Sequence, residues 1–147
     1  MFKNILIPTD GSALSRKAIK AGVALARAVG AGVTGFYSPE QYEILAYGEY
    51  FPPDLMSRAQ WDKRSKKTAA RFLAAVEKEA KAAGVKYSGF ALDSVAPWQA
   101  IVDAAKRKRC DLIFMASHGR SGISGLLIGS QAAKVLAHSK VPVMIHK

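Results

Sequence analysis

Five short apolar runs, each too brief for a stable helix and separated by stretches of helical periodicity, constrain this chain more than any other feature. They read as strands at Asn4–Pro8, Val33–Tyr37, Val85–Leu92, Leu112–Ala116 and Val141–His146. Several are apolar at successive rather than alternate positions, the pattern of strands covered on both faces. After the first run, Ser12 is a good helix N-cap, and Leu14, Ala18, Ala21, Leu25 and Val29 recur every three or four residues before Gly30 and Gly32. A long helix is expected from about Leu55 to Ala83, with Phe72, Leu73, Val76 and Ala80 on its buried side. A third starts near Pro97 and ends in Lys106–Arg109, and a fourth runs from about Ser130 to His138. Strands and helices alternating in this way give an α/β sandwich, a parallel sheet between helical layers joined by right-handed crossovers. The 147 residues suit one domain spanning 1–147.

One stretch breaks the pattern. From Ser38 to about Asp54, Tyr42, Tyr47, Tyr50 and Phe51 crowd around Gly48 and the Pro52-Pro53 pair. An ordered lid over the sheet edge and a connector with packed-down aromatics are both open readings.

Several function classes fall away on composition. Half of the residues are hydrophobic, which excludes a disordered chain, yet no apolar run is long enough to cross a bilayer. The amino terminus enters a strand too soon for a secretory core, and a single cysteine, Cys110, excludes an intrachain disulfide. The expectation is a cytoplasmic protein with no membrane span. The three histidines have no metal-ligand spacing. A formal charge of +11 attracts anions of any kind, and a solvated basic surface is as good a reading as a polyanion partner.

Chemistry concentrates at two loops. In open parallel sheets, ligands bind beyond the carboxyl ends of the strands, where the winding direction reverses. The fourth strand leads into Ala116-Ser-His-Gly-Arg-Ser-Gly-Ile-Ser-Gly-Leu-Leu-Ile-Gly-Ser-Gln131 and then a helix. Small residues let backbone N–H groups approach an anion, and the helix start adds unpaired donors and a positive dipole end. Ser130 contributes a hydroxyl, Arg120 a cation, and His118 lies within the same cradle. The segment reads as a phosphate-binding loop. After the first strand comes Pro8-Thr9-Asp10-Gly11-Ser12. Asp10 suits a ribose hydroxyl, a phosphate-bound magnesium ion or the cap of the following helix. Both loops being loaded, their strands are expected side by side.

Rival motifs are missing. The chain has no G-x-x-x-x-G-K-[ST], no G-x-G-x-x-G after its first strand and no G-x-S-x-G at Ser121. No catalytic residue and no general base for water stands out, so any hydrolytic turnover is expected to be weak.

The order PTDGS, then D-L-I-x-M-x-S-H-G-R-S-G, then L-L-x-G-S-x-A-x-K-V-L and a closing V-P-V-M-I resembles the universal stress protein family across essentially the whole chain. ATP-binding members of that family carry G-x2-G-x9-G-[ST]. Here Gly119, the spacer Arg120–Ile128 and Gly129-Ser130 fit that motif, while Ala116 stands at its first glycine. The resemblance implies a three-layer sandwich of the adenine nucleotide alpha hydrolase-like kind, with a five-stranded parallel sheet in the order 3-2-1-4-5. It implies ATP as ligand, with or without magnesium. Asp10 would lie near the ribose, flanked by Pro8 and Thr9, and Phe36 with Tyr37 would wall the adenine. Gly119, Gly129 and Ser130 would hold the phosphates, with Ala116, His118, Arg120 and Gln131 alongside. A homodimer through the last strand is implied too, and covering that apolar edge gives it a physical motive. The resulting expectation is a nucleotide-responsive regulatory or stress-tolerance factor acting on a protein partner still to be identified. The alternatives are a slow ATP hydrolase and a polyanion-binding adaptor using the long basic helix and Lys106–Arg109. Nucleic acid ranks last as a partner, because no aromatic-interleaved basic motif is present.

Overall fold

A computed structural model describes residues 1–39, 57–119 and 128–147. Along the chain run β1 (Asn4–Pro8), α1 (Ala13–Val29), β2 (Gly32–Tyr37), α2 (Arg58–Ala82), β3 (Tyr87–Ala91), α3 (Pro97–Arg107), β4 (Leu112–Ala116), α4 (Ser130–His138) and β5 (Val143–His146). The five strands form one parallel sheet in the order β3-β2-β1-β4-β5, the order that the resemblance implies. Ile5 pairs with Val33 on one side of β1 and with Leu112 on the other, so β1 is the central strand.

Alternation along the strands builds two cores. Ile5, Ile7, Val33, Leu112 and Phe114 pack against Ala18, Ile19, Val23 and Ala26 of α1 and Val76 and Ala80 of α2. Leu6, Phe36, Ile113 and Met115 point the other way, onto Ala100, Ile101 and Ala104 of α3 and Ala132 and Val135 of α4. Ile5, Leu6 and Ile7 are completely buried, each contributing about 2 kcal/mol of apolar transfer. Consecutive burial in β1 and β4 is the two-faced coverage that their sequences call for. The edge strand β3 differs, with Ser88 and Gly89 exposed.

Caps decide the boundaries. The long helix starts at Arg58 rather than Leu55, because Ser57 and Gln60 form a reciprocal capping box. The last strand starts at Val143 rather than Val141. Pro142 has no N–H to give, although its carbonyl accepts from the Ile113 N–H at 3.0 Å. At this same end of β4, the Asp111 carboxylate accepts the N–H groups of Lys3 at 2.8 Å and Asn4 at 3.0 Å, pinning β4 to the start of β1. Desolvation pushes the Asp111 carboxyl up, but the backbone donors outweigh it and hold the group below its ordinary range. No described helix is long and apolar enough to cross a membrane.

The aromatic segment from Tyr42 to Asp54 lies outside the described residues, as does Arg120.

Candidate functional site

The parallel register delivers the ends of β2, β1 and β4 to one edge of the sheet. Because β2 and β4 both border β1, the loops after β1 and β4 are neighbours, as their chemistry suggests. The contact is close: a Cβ built on Gly119 would sit 2.6 Å from Asp10 Oδ2. Gly119 is therefore small because the Asp10 carboxylate occupies the space beside it.

Asp10 also organises its own loop, accepting the Ser12 N–H at 2.9 Å through Oδ1. Thr9 is buried and fixed by three bonds. Its N–H donates to the Phe36 carbonyl at 2.8 Å, while Oγ1 accepts from the Ser15 hydroxyl at 2.9 Å and the Gly11 N–H at 3.3 Å. Ser12 caps α1 by accepting the Ser15 N–H. Pro8 is buried at the end of β1. These ties set Asp10 on a braced turn, with Gly11 at φ +76°.

The exit from β4 meets α4 head on. The Gly129 N–H donates to the Ser117 carbonyl at 2.7 Å, and a Cβ on Gly129 would lie 3.0 Å from that same oxygen. Gly129 is needed for close approach, since its φ of −72° is open to any residue. Ala116, at the first motif position, belongs to the core facing α1, so its methyl group is buried on the face of the sheet away from α4. Among the described non-glycine residues only Arg109 has positive φ, so Ala116 sits in ordinary backbone.

α4 is the one described helix whose first turn has no side-chain acceptor. α1 has Ser12 and α2 has Ser57, whereas at α3 the Trp98 N–H donates to Gln131 Oε1 at 3.0 Å. No side chain caps α4 at Gly129, and the first intrahelical bond runs from the Ala133 N–H to the Gly129 carbonyl. The amides of Ser130, Gln131 and Ala132 thus form an open donor set at the positive end of a helix dipole.

Two further polar atoms nearby are buried without a hydrogen bond. His118 Nδ1 bonds the Ser117 hydroxyl at 2.8 Å, but its Nε2 is buried without a hydrogen bond. The Ser38 hydroxyl, just past β2, is likewise buried and unpaired. An unsatisfied buried polar group costs about 1–3 kcal/mol, so native structures keep few. Both of these lie at the carboxyl ends of strands flanking β1. By contrast, a recess of about 580 Å³ at the opposite sheet end, with Lys3, Arg27 and Lys86 in its lining, contains neither of them.

The structure thus brings Thr9, Asp10, His118, Gly119, Gly129 and Ser130 to one edge. Two other sequence candidates have partners within the protein. The Phe36 ring is fully buried against Phe90 in the core, and its carbonyl is taken by Thr9. Gln131 uses its side-chain carbonyl on α3. Ser38 escapes sequence reasoning, its only signal being a hydroxyl at the end of an apolar strand. No described group of three or more His, Cys, Asp or Glu side chains could hold a metal ion.

Comparison with known proteins places this geometry. A universal stress protein of Methanocaldococcus jannaschii, MJ0531, is 31% identical over 150 residues, covering all of this chain and 83% of that protein. The solved structure of hypothetical protein MJ0577 superposes with a TM-score of 0.81 at 26% identity, over 99% of this chain and 95% of that one. A universal stress protein in complex with cAMP shares the fold, with a TM-score of 0.73 and 24% identity over 99% and 97% of the two chains. The sequence model of the universal stress protein family matches residues 1–147, and the chain belongs to that family.

Proposed function

We propose that the protein binds an adenine nucleotide, ATP in the first instance, at the carboxyl edge of β2, β1 and β4. The observation that carries this reading is the convergence there of the orphaned Ser38 hydroxyl and His118 Nε2 with the uncapped amides of α4. A ligand with a polar ring at one end and phosphates at the other would satisfy all three. Phosphates would lie over Ser130, with the magnesium that accompanies them in solution. The ribose would approach Asp10, and the base would approach Tyr37 and Ser38. The cAMP complex of a structural neighbour supports the same ligand class.

On this reading the protein works as a switch. A ligand shifts a conformational equilibrium only through its differential affinity for the two states, and the two loops joined at Asp10 and Gly119 supply a place for that difference. No described side chain is arranged as a base for an attacking water, so efficient hydrolysis is not part of the proposal. Two copies would pair through β5, where Met144 and Leu136 of neighbouring α4 remain 42% and 41% exposed. Light scattering should give a dimer that Met144→Lys converts to monomer.

Calorimetric titration of ATP with magnesium tests the site. Wild-type protein should bind with a stoichiometry of one per chain. Gly129→Glu should abolish binding, and so should Ser130→Glu, whose exposed position tolerates the larger side chain. No heat with wild type, or equal heats for all three proteins, would remove the site. Steady phosphate release lost in Asp10→Ala would make the protein a hydrolase instead.

A further inference from the structure

We propose that the layer formed by α1 and α2 is a nucleic-acid-binding face that grips the sugar–phosphate backbone without reading its sequence. This inference is independent of the nucleotide site. Its basis is where the positive charge lies. α1 carries Arg16, Lys17, Lys20 and Arg27 and no carboxylate, while α2 carries eight cations against Asp62, Glu77 and Glu79. These two helices hold nine of the eleven net charges of the whole chain, and all twelve of their cations are exposed. α3 and α4, on the other face, hold Asp103 against Lys106, Arg107 and Lys134. The topology creates this asymmetry. Residues remote in sequence become one surface because both helices cover the same core.

The cations are ordered in two lines. On α2, Arg64, Lys67, Arg71 and Lys78 follow helical spacing on the face opposite the buried Ala69, Phe72, Val76 and Ala80. On α1, Arg16, Lys20 and Arg27 fall on one stripe that flanks the buried side. Between the helices runs a trough with Ala24, Ala28, Ala82 and Ala83 in its lining, edged by Lys20 and Arg27, and Glu79 is its one carboxylate. The other two carboxylates are engaged within α2, Asp62 by Arg58 at 3.1 Å and Glu77 by Lys81 at 2.7 Å.

These features fit one kind of partner. From Arg64 to Lys78 the α2 line spans about 21 Å at the helical rise, the axial length of about six base pairs of a duplex. Small residues between the rims leave room for a backbone ridge. Among the described residues, the exposed large apolar ones are Met1, Val95, Leu136 and Met144, none of them on α1 or α2, so these two helices present no large apolar side chain to a bilayer. Nor does it expose an aromatic stripe for stacking on bases, and that makes the contact sequence-independent. The Lys106–Arg109 cluster, which sequence alone would add to this surface, ends α3 in the opposite layer, where Lys108 lies 4.5 Å from the centre of the Phe90 ring.

Fluorescence anisotropy with labelled DNA and RNA duplexes of unrelated sequence, titrated between about 50 and 200 mM salt, tests the proposal. Affinity should be the same for unrelated sequences of each duplex type, and log K should fall against log salt with a slope of about −5. The triple change Lys20→Glu, Lys67→Glu and Lys78→Glu should weaken binding at least about 30-fold and flatten the slope by about 3. A control with the same net charge, Lys106→Glu, Arg107→Glu and Lys134→Glu, should lose less than about threefold. Circular dichroism should show both triples folded, and the milder triple to Gln should retain the ranking. Equal losses from the two triples would reduce the effect to net charge and overturn the proposal. So would absence of duplex binding at the lowest salt, or capture by phosphatidylserine vesicles without duplex binding.

Discussion

Replacing Gly11 by alanine probes how the turn carrying Asp10 is held. Gly11 has φ +76°, and a Cβ there would lie 2.3, 2.5 and 2.8 Å from three atoms of the Phe72 ring. Two costs follow. A left-handed backbone costs a non-glycine residue about 1–2 kcal/mol, offset by a few tenths to 1 kcal/mol from the stiffer unfolded chain. Carbon atoms in good contact stand about 3.5–4.0 Å apart, so the ring must move, and such overpacking adds about 1–3 kcal/mol. Gly11→Ala should therefore destabilise by about 3 kcal/mol. Gly30→Ala isolates the first cost, because Gly30 has φ +71° and nothing within 4 Å of its Cβ position, and it should lose about 1 kcal/mol. Urea unfolding with a common m-value measures both. In a Phe72→Ala background the clash disappears, so the increment for Gly11→Ala should drop to about 1 kcal/mol. Equal losses for Gly11→Ala and Gly30→Ala, or an increment unchanged by Phe72→Ala, would refute the reasoning.

Asp111→Asn should cost about 1–2 kcal/mol at neutral pH, through weakened bonds from the Lys3 and Asn4 amides. Since the folded carboxyl titrates below its unfolded value, its contribution is complete above about pH 4 and is lost as pH falls through the folded pKa, so wild type and variant should converge in acid. Ser38→Ala should leave the ligand-free protein as stable as wild type or more so, because the hydroxyl removed is buried and unpaired, and should weaken ATP binding by about tenfold, read by calorimetry. Gln131→Ala should lower thermal stability by about 1 kcal/mol through loss of the α3 cap, with ATP affinity unchanged.

Much of this arrangement is readable in the chain itself. Successive apolar residues in Ile5-Leu6-Ile7 and Leu112-Ile113-Phe114 require coverage on both faces, and that forces helical layers on either side of a parallel sheet. The capping box at Ser57 and Gln60 is also written in the sequence, although the apolar Leu55 and Met56 ahead of it draw the expected start too early. What the chain order hides is contact across long separations. Gln131 meets Trp98 thirty-three residues away, and no local pattern announces that its carbonyl is spent there. The resemblance sets Phe36 beside the adenine, and only the packing of Phe90 and α3 shows that its ring faces the core. The orphaned hydroxyl of Ser38 is invisible for the same reason, since lacking a partner is a property of three dimensions.

Backbone amide shifts of isotopically labelled protein, followed while ATP and magnesium are added, bear most directly on the nucleotide site. The largest changes should fall on Asp10, His118, Gly119, Gly129, Ser130 and Gln131, with Gly30, Gly84 and Lys86 at the far end of the sheet unmoved. Changes centred on Lys3, Arg27 and Lys86, or no saturable change anywhere, would contradict a nucleotide seated over α4.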